Sequence, residues 1–259
     1  MAIGATGPVP KPEFKGVSSV IVVIPARMAA QRLPGKPLAD IGGLPMIVRA
    51  LRQAEAADIG PVVVAAGDAE IVEAVESHGG RSILTDPGLP SGSDRVRAAL
   101  QAVDPEGQFE AVINLQGDMP FVDPATIVAV ARLMAEEPDC DIGTAVAMEA
   151  SAGDRTNPDV VKAVLAMTAA DRGRALYFTR STLYGDAPVW RHIGIYGYRR
   201  AALDRFCAAP PSPLERREML EQLRALEMGL SIWAAVVDQA PISVDSPSDL
   251  EAARASLAS

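Results

Sequence analysis

The chain lacks the features that would place it in several common classes. No apolar run among its 259 residues approaches the ~18 needed to cross a bilayer, so no membrane-spanning segment and no membrane partner are expected. It has only two cysteines, Cys140 and Cys207, without a CxxC or metal-ligand spacing; they read as small core residues or incidental thiols of a reducing compartment. Two histidines, His78 and His192, are too few for a histidine-rich metal site. Neither GxxxxGK(S/T) nor GxGxxG occurs, which removes the P-loop and the dinucleotide fingerprint. Positive charge is scarce: 24 Lys and Arg face 33 Asp and Glu, for a net charge of −9. Such a surface repels a phosphate backbone, so nucleic acid is not an expected partner. Residues 1–17, rich in Gly and Pro and without an apolar core segment, read as a flexible tail rather than a secretory signal, and the expected compartment is the cytoplasm.

Against this acidic background one basic stretch stands out, IVVIPARMAAQRLPGKPL at 21–38. Val20 to Ile24 is too short and too β-branched for a helix and has no polar face, the pattern of a strand buried on both sides. It runs into Arg27, Arg32 and Lys36, on a loop stiffened by Pro25, Pro34, Gly35 and Pro37. Three cations on a rigid loop at the carboxyl end of a buried strand suit a polyanion, most simply a triphosphate.

Strand and helix signals alternate through the first half: helix 46–57, strand 61–66, helix 69–77, strand 81–85, helix 93–103 and strand 111–115. This order predicts an α/β fold with a mainly parallel sheet and ligands beyond the strands' carboxyl ends. Beyond residue 140 the pattern loosens into strands at 142–148, 160–166 and 193–198, a helix at 214–226 and a strand at 232–237. A last helix follows, with Ser246 as N-cap and Asp249 at the capping-box position. There is no internal repeat, and residues 18–259 read as a single domain with 140–230 as an insertion. Asp118 closes a Gln-Gly-Asp turn at one strand end, and Asp245 sits at the last strand-to-helix turn. Two carboxylates from separate strand ends aimed at one triphosphate suit Mg²⁺, a hard cation with oxygen ligands. Spacing alone leaves Asp245 open as a helix-capping acid.

PARMAAQRLPGKPL resembles the PARxxSxRLPGKPL signature of the CMP-KDO synthetases, the 3-deoxy-manno-octulosonate cytidylyltransferases, within the sugar nucleotidyltransferases. SGSDR (91–95), NLQGDMPFVDP (114–124), NPDVVK (157–162), ALYFTRS (175–181), RHIGIYGYRR (191–200), SPLERREMLEQLRALEMG (212–229) and VDSPSDLE (244–251) continue the resemblance in the family's order, from about residue 18 to 255. It implies a GT-A-like, Rossmann-like sheet flanked by helices, with the insertion forming the sugar pocket and a homodimer interface. The implied reaction joins CMP from CTP to the anomeric hydroxyl of 3-deoxy-D-manno-octulosonate (KDO), releasing pyrophosphate, for lipopolysaccharide assembly. The implied catalytic set is Arg27, Lys36, Asp118 and Asp245, with Asp118 and Asp245 on Mg²⁺. CTP is expected against Pro25, Ala26, Arg27, Arg32, Lys36, Ala65, Asp68, Ser93 and Arg95. For the sugar acid the candidates are Gln116, Arg180, Arg191, His192, Tyr196, Glu221 and Gln222. On pattern alone His192 also reads as a structural histidine, and Glu221 and Gln222 as the polar face of a helix.

Two departures bear on the acceptor. QGDMP carries Met119 where the family has an acid that supports Asp118 or a helix start, and FTRSTLYG (178–185) lacks the family's proline and leads into a shortened loop. The 8-amino analogue of KDO, a sialic-type acid or a non-catalytic nucleotide-binding role are the alternatives.

Overall fold

Alternate residues of Val20–Ala26 enter two separate cores. Val20, Val22, Ile24 and Ala26 pack on one side, Ile21 and Val23 on the other. Fully burying a Val or Ile contributes about 1.5–3 kcal/mol, so this strand anchors both layers. The computed structural model describes residues 19–29, 32–148, 152–185 and 187–257; the tail expected at 1–17 lies outside the described residues.

In chain order the first elements are β1 (Val20–Ala26), β2 (Asp40–Ile41), β3 (Leu44–Pro45), α1 (Met46–Ala56), β4 (Val62–Ala66), α2 (Ala69–Ser77), β5 (Ser82–Leu84), α3 (Gly92–Val103) and β6 (Ala111–Asn114). Then come α4 (Pro124–Glu136), β7 (Ile142–Met148), α5 (Ala152–Thr156), β8 (Lys162–Ala169), β9 (Arg172–Thr179) and β10 (Trp190–Arg199). The last are α6 (Arg200–Ala208), α7 (Pro213–Glu218), α8 (Gln222–Glu227), β11 (Ile232–Val237) and α9 (Pro247–Ala255).

One sheet of nine strands runs β5-β4-β1-β6-β10-β7-β11-β9-β8. Helices α1, α2 and α4 cover the face that holds Ile24, and α3, α6 and α8 cover the other. The fold is mixed α/β. The expected mainly parallel sheet holds as a continuous run only across β5, β4, β1 and β6. β10 lies antiparallel to both β6 and β7, and β8 and β9 are antiparallel too, while β11 is parallel to β7. Burial on both faces makes a strand apolar whichever way it runs, so periodicity could not fix these directions.

Two glycines seat α4. Gly143 on β7 and Gly197 on β10 are register partners, and a Cβ at Gly197 would stand 2.3 Å from Met134 Sδ and 3.1 Å from Val130 Cγ1. The helix expected at 214–226 is broken: Met219 adopts φ 55° between α7 and α8.

Candidate active site

The carboxyl ends of β1 and β6 open into a cleft of about 840 Å³. Pro25, Ala26, Arg27, Arg32 and Lys36 line it from the first loop, Ser91, Gly92 and Arg95 from α3, and Gln116, Gly117, Asp118 and Asp245 from two further turns. Of the expected CTP set, Ala65, Asp68 and Ser93 lie outside this lining.

Local hydrogen bonds shape the basic loop. Asp68 Oδ2 accepts the Met28 amide at 2.7 Å, and Gly67 N donates to Ala26 O at 2.8 Å, so the β4 turn grips the loop's first residues. Gly35 supplies the left-handed φ of 70° that starts the 3-10 turn Lys36–Leu38. Leu33 and Ala39 then pack on Ile41, Val244, Leu250 and Ala253, which fastens the loop to α9. Val244 N donates to Asp118 O at 2.9 Å, stitching the two acid-bearing turns side by side.

Asp118 and Asp245 therefore converge. Lys36 Nζ donates to Asp118 Oδ2 at 2.9 Å and to Asp245 Oδ1 at 3.0 Å, and Arg32 reaches Asp245 Oδ1 at 3.4 Å. Burial pulls the Lys36 ammonium down, but attraction to Asp118, and then Asp245, outweighs it and the net shift is upward. Burial pushes the Asp118 carboxyl up; Lys36 opposes this, Asp245 adds to it, and the net shift is again upward. The capping alternative for Asp245 is answered by its neighbours. Ser246 and Asp249 form the capping box of α9, which leaves the Asp245 carboxylate on the two cations.

Gly117 has a packing role: a Cβ there would meet Ile47 Cδ1 at 3.0 Å and Pro25 O at 3.3 Å. Met119 is 3 % exposed and belongs to the core under the turn. Arg95, 2 % exposed, is spent on the wall, donating to Thr85 Oγ1 at 2.5 Å and to Asp86 O at 3.1 Å.

Gln116 leads from the cleft to a second group of polar residues. Its Nε2 donates to Asn114 Oδ1 at 2.9 Å, and Asn114 is the register partner of Tyr196 on β10. Tyr196 lies 5.5 Å from the His192 ring and 6.0 Å from the Tyr198 ring, between centroids. The Tyr198 hydroxyl is 3.5 Å from Ser93 Oγ, which donates to Glu221 Oε2 at 3.1 Å. So Ser93 faces this second group. Burial pushes the His192 imidazole down to about 3 and the tyrosine hydroxyls up. Burial also raises the Glu221 carboxyl, against hydrogen bonds from Ser91 and Ser93 and the charge of Arg224. Thr144 commits its hydroxyl proton to Ile195 O at 2.8 Å, leaving His192 Nε2 to donate to Thr144 Oγ1 at 3.0 Å. Gln222 is 6 % exposed and its buried Nε2 has no hydrogen-bond partner among the described residues.

Arg180 and Arg191 stand at the edge of this group. Arg191 pairs with Asp154 at 3.7 Å, and Arg180 Nη1 donates to Pro158 O at 3.0 Å. Between them lies Lys162, fully buried, with Nζ donating to the carbonyls of Asn157, Val160 and Arg180 at 2.7–2.9 Å. Sequence reasoning did not single out Lys162, Asn114 or Thr144. Lys162 and Asn114 lie inside quoted blocks, but the residue types alone carry no signal separating a brace from a surface residue.

Residues 21–232 match the family model described as Cytidylyltransferase. The chain belongs to the cytidylyltransferase family. Among its relatives in that family, the 3-deoxy-manno-octulosonate cytidylyltransferase of Parvibaculum lavamentivorans is 56 % identical over 239 residues, covering 92 % of each chain. That of Rhodopseudomonas palustris is 56 % identical over 237 residues, covering 91 % of this chain and 96 % of its own. A solved CMP:2-keto-3-deoxy-manno-octonic acid synthetase complexed with CTP superposes with a TM-score of 0.85 at 36 % identity, covering 93 % of this cytidylyltransferase and 99 % of that chain. A nucleotidyl transferase from Methanothermobacter, 17 % identical with a TM-score of 0.59 and coverage of 93 % and 98 %, shares the fold alone.

Proposed function

We propose that this cytidylyltransferase transfers CMP from CTP to the anomeric hydroxyl of KDO, giving CMP-KDO and pyrophosphate for lipopolysaccharide assembly. The observation that carries the reading is the convergence of Asp118 and Asp245 in a cleft walled by Arg27, Arg32 and Lys36. The cleft suits a triphosphate: cations for the phosphate oxygens, and the N-terminus of α3 at Ser91 and Gly92 to favour negative charge. The small residues Pro25, Ala26 and Gly92 leave room for a planar base.

Two carboxylates meeting at one point, both acting on a cation already, make a hard-oxygen donor set that fits Mg²⁺. No cluster of three or more His, Cys, Asp or Glu occurs among the described residues, so phosphate oxygens and water would complete the coordination. Asp118 and Asp245 would hold the ion, which supplies neutralisation of charge developing on the α-phosphate. The remaining work falls to the chain. The hydroxyl oxygen of KDO forms the new bond to the α-phosphorus as the bond to the β,γ-diphosphate breaks, and the hydroxyl proton leaves to solvent. Arg27, Arg32 and Lys36 stabilise the departing pyrophosphate, a contribution of position and charge.

The sugar acid is assigned to the second polar group. Neutral His192 offers Nδ1 as an acceptor, the Gln222 amide offers a donor, and Gln116 on the cleft wall is linked through Asn114 to Tyr196. Arg180 and Arg191 are the cations for its carboxylate. We read the sheet as GT-A-like, residues 18–259 as one domain, and 140–230 as the insertion that supplies this pocket and a homodimer contact. Support for the dimer comes from the large apolar side chains Met148, Leu176 and Tyr184 of this region, which are exposed by 59 %, 57 % and 92 %. No described helix is long and apolar enough to cross a membrane, and a reaction that consumes CTP belongs with the cytoplasmic nucleotide pool. The test is ³¹P NMR of the chain with CTP, KDO and Mg²⁺. A phosphodiester signal appearing with free pyrophosphate is the expected outcome; unchanged CTP contradicts the proposal.

A further inference from the structure

The nitrogen that ties Asp118 to Asp245 stands where a divalent cation would have to bind. We propose that Lys36 is an internal counter-ion that closes these two carboxylates to divalent cations until a triphosphate draws it away, so that metal binding depends on nucleotide binding. The inference rests on the reading of Asp118 and Asp245 as metal ligands.

Three observations support it. Lys36 Nζ contacts both carboxylates at hydrogen-bond distance with a side chain only 17 % exposed, so solvent screens the interaction weakly. Arg32 adds a second cation on Asp245 at 3.4 Å, and two carboxylates facing two cations form a neutral group with little attraction for a free divalent ion. A further acid at the same turn, Asp249, holds the amides of Asp245 and Ser246 on its Oδ2, which ties it to the start of α9.

Release is built into the same arrangement. Lys36 and Arg32 both line the cleft, so a triphosphate entering it offers them several oxygens at once. Charge-assisted bonds to those oxygens replace the bonds to Asp118 and Asp245, and the freed carboxylates then face the phosphates. The chain therefore accepts a metal with the nucleotide, or after it, and holds little metal alone. Ligand and metal become reciprocally coupled through one side chain.

The test is Mn²⁺ binding without nucleotide, read from the electron paramagnetic resonance of the free ion, in the wild-type chain and in Lys36→Gln, Lys36→Arg and Lys36→Gln/Asp118→Asn. Lys36→Gln should bind Mn²⁺ at least about tenfold more tightly than wild type, because it removes a cation held between two carboxylates. Lys36→Arg, which keeps the charge, should remain close to wild type. Equal affinity in wild type and Lys36→Gln, or weaker binding in the variant, overturns the inference. The double variant separates the two levels of the argument. Loss of the gain supports both, whereas a gain that survives Asp118→Asn shows that the ion sits elsewhere and that the ligand assignment itself is wrong. Should Lys36→Gln lose its circular dichroism signature, Arg32→Gln carries the same test. Its side chain is 68 % exposed, so the fold does not depend on it, and tighter Mn²⁺ binding than wild type is again expected, while no change overturns the inference.

Discussion

At the scale of single residues, the cleft separates groups that hold the nucleotide from groups that act on the reacting phosphate. Arg32 is 68 % exposed and, among the described residues, held only by its 3.4 Å pairing with Asp245, so it can turn towards phosphate. Arg32→Ala should therefore weaken CTP binding by about tenfold or more, as expected for loss of a charge-assisted contact. Asp118→Ala should leave the CTP dissociation constant within a few-fold and lower turnover by about 10³ or more. Titration calorimetry beside steady-state rates measures both; near-normal turnover in Asp118→Ala contradicts its assignment. His192 makes a different prediction. Burial holds its pKa at about 3, below the ordinary value near 6.5, so the unfolded chain takes up a proton first as pH falls. Stability is therefore complete above pH 6.5 and declines on acidification. The His192 share of that loss is at most about 2 kcal/mol between pH 6.5 and 5. His192→Gln should flatten this part of the denaturant-midpoint profile, and an unchanged slope would show that His192 charges freely in the folded state. The residues of the cleft were legible because positive charge in an acidic chain is conspicuous, as at Arg27, Arg32 and Lys36, and because Asp118 closes a Gln-Gly-Asp turn at a strand end; all four stand on its wall. Lys162 was not legible, since its partners are backbone carbonyls that no residue type announces.

At the scale of elements, local signals were strong where caps and periodicity agreed. The box formed by Ser246 and Asp249 starts α9 where spacing put it, and α3 starts at Gly92, one residue before the expected 93, with Ser91 as its cap accepting the Asp94 amide at 3.2 Å. α4 was passed over although Asp123 and Pro124 are a readable start: Asp123 Oδ1 accepts the Ala125 amide at 2.8 Å. Its almost entirely apolar sequence shows little contrast between faces, as expected of a helix pressed onto Gly143 and Gly197. The break between α7 and α8 has no glycine to mark it. Met219 takes the left-handed conformation with its side chain 77 % exposed, so it pays a backbone cost without a packing return. Met219→Gly should be neutral to about 1 kcal/mol more stable by thermal unfolding, because glycine accepts that conformation without strain. A clear loss of stability would mean that the methionine has a contact in the assembled protein. This turn precedes Glu221, so its geometry sets where that carboxylate meets Ser93.

At the scale of the molecule, the cationic cleft lies at the carboxyl ends of β1 and β6 in a nine-stranded sheet, and the polar group of His192, Tyr196 and Tyr198 lies beside it on β10. The strand that connects them, Trp190–Arg199, carries His192 and Tyr196 and runs against β6, whose end leads to Gln116 and Asp118. Strand direction was the least legible feature of the sequence, yet it is what brings the two sites together. Reversing β10 relative to β6 places the RHIGIYGY block beside the turn that carries Asp118. The cleft gathers cations in a chain of net charge −9, so a small anionic substrate is drawn to one place on a surface that otherwise repels it. The account is tested most directly by pyrophosphate release with CTP and Mg²⁺, offering KDO, its 8-amino analogue and N-acetylneuraminate side by side. Release with KDO alone, or with KDO far ahead, is the predicted result. Silence with all three acids, in a chain that still binds CTP, would contradict it.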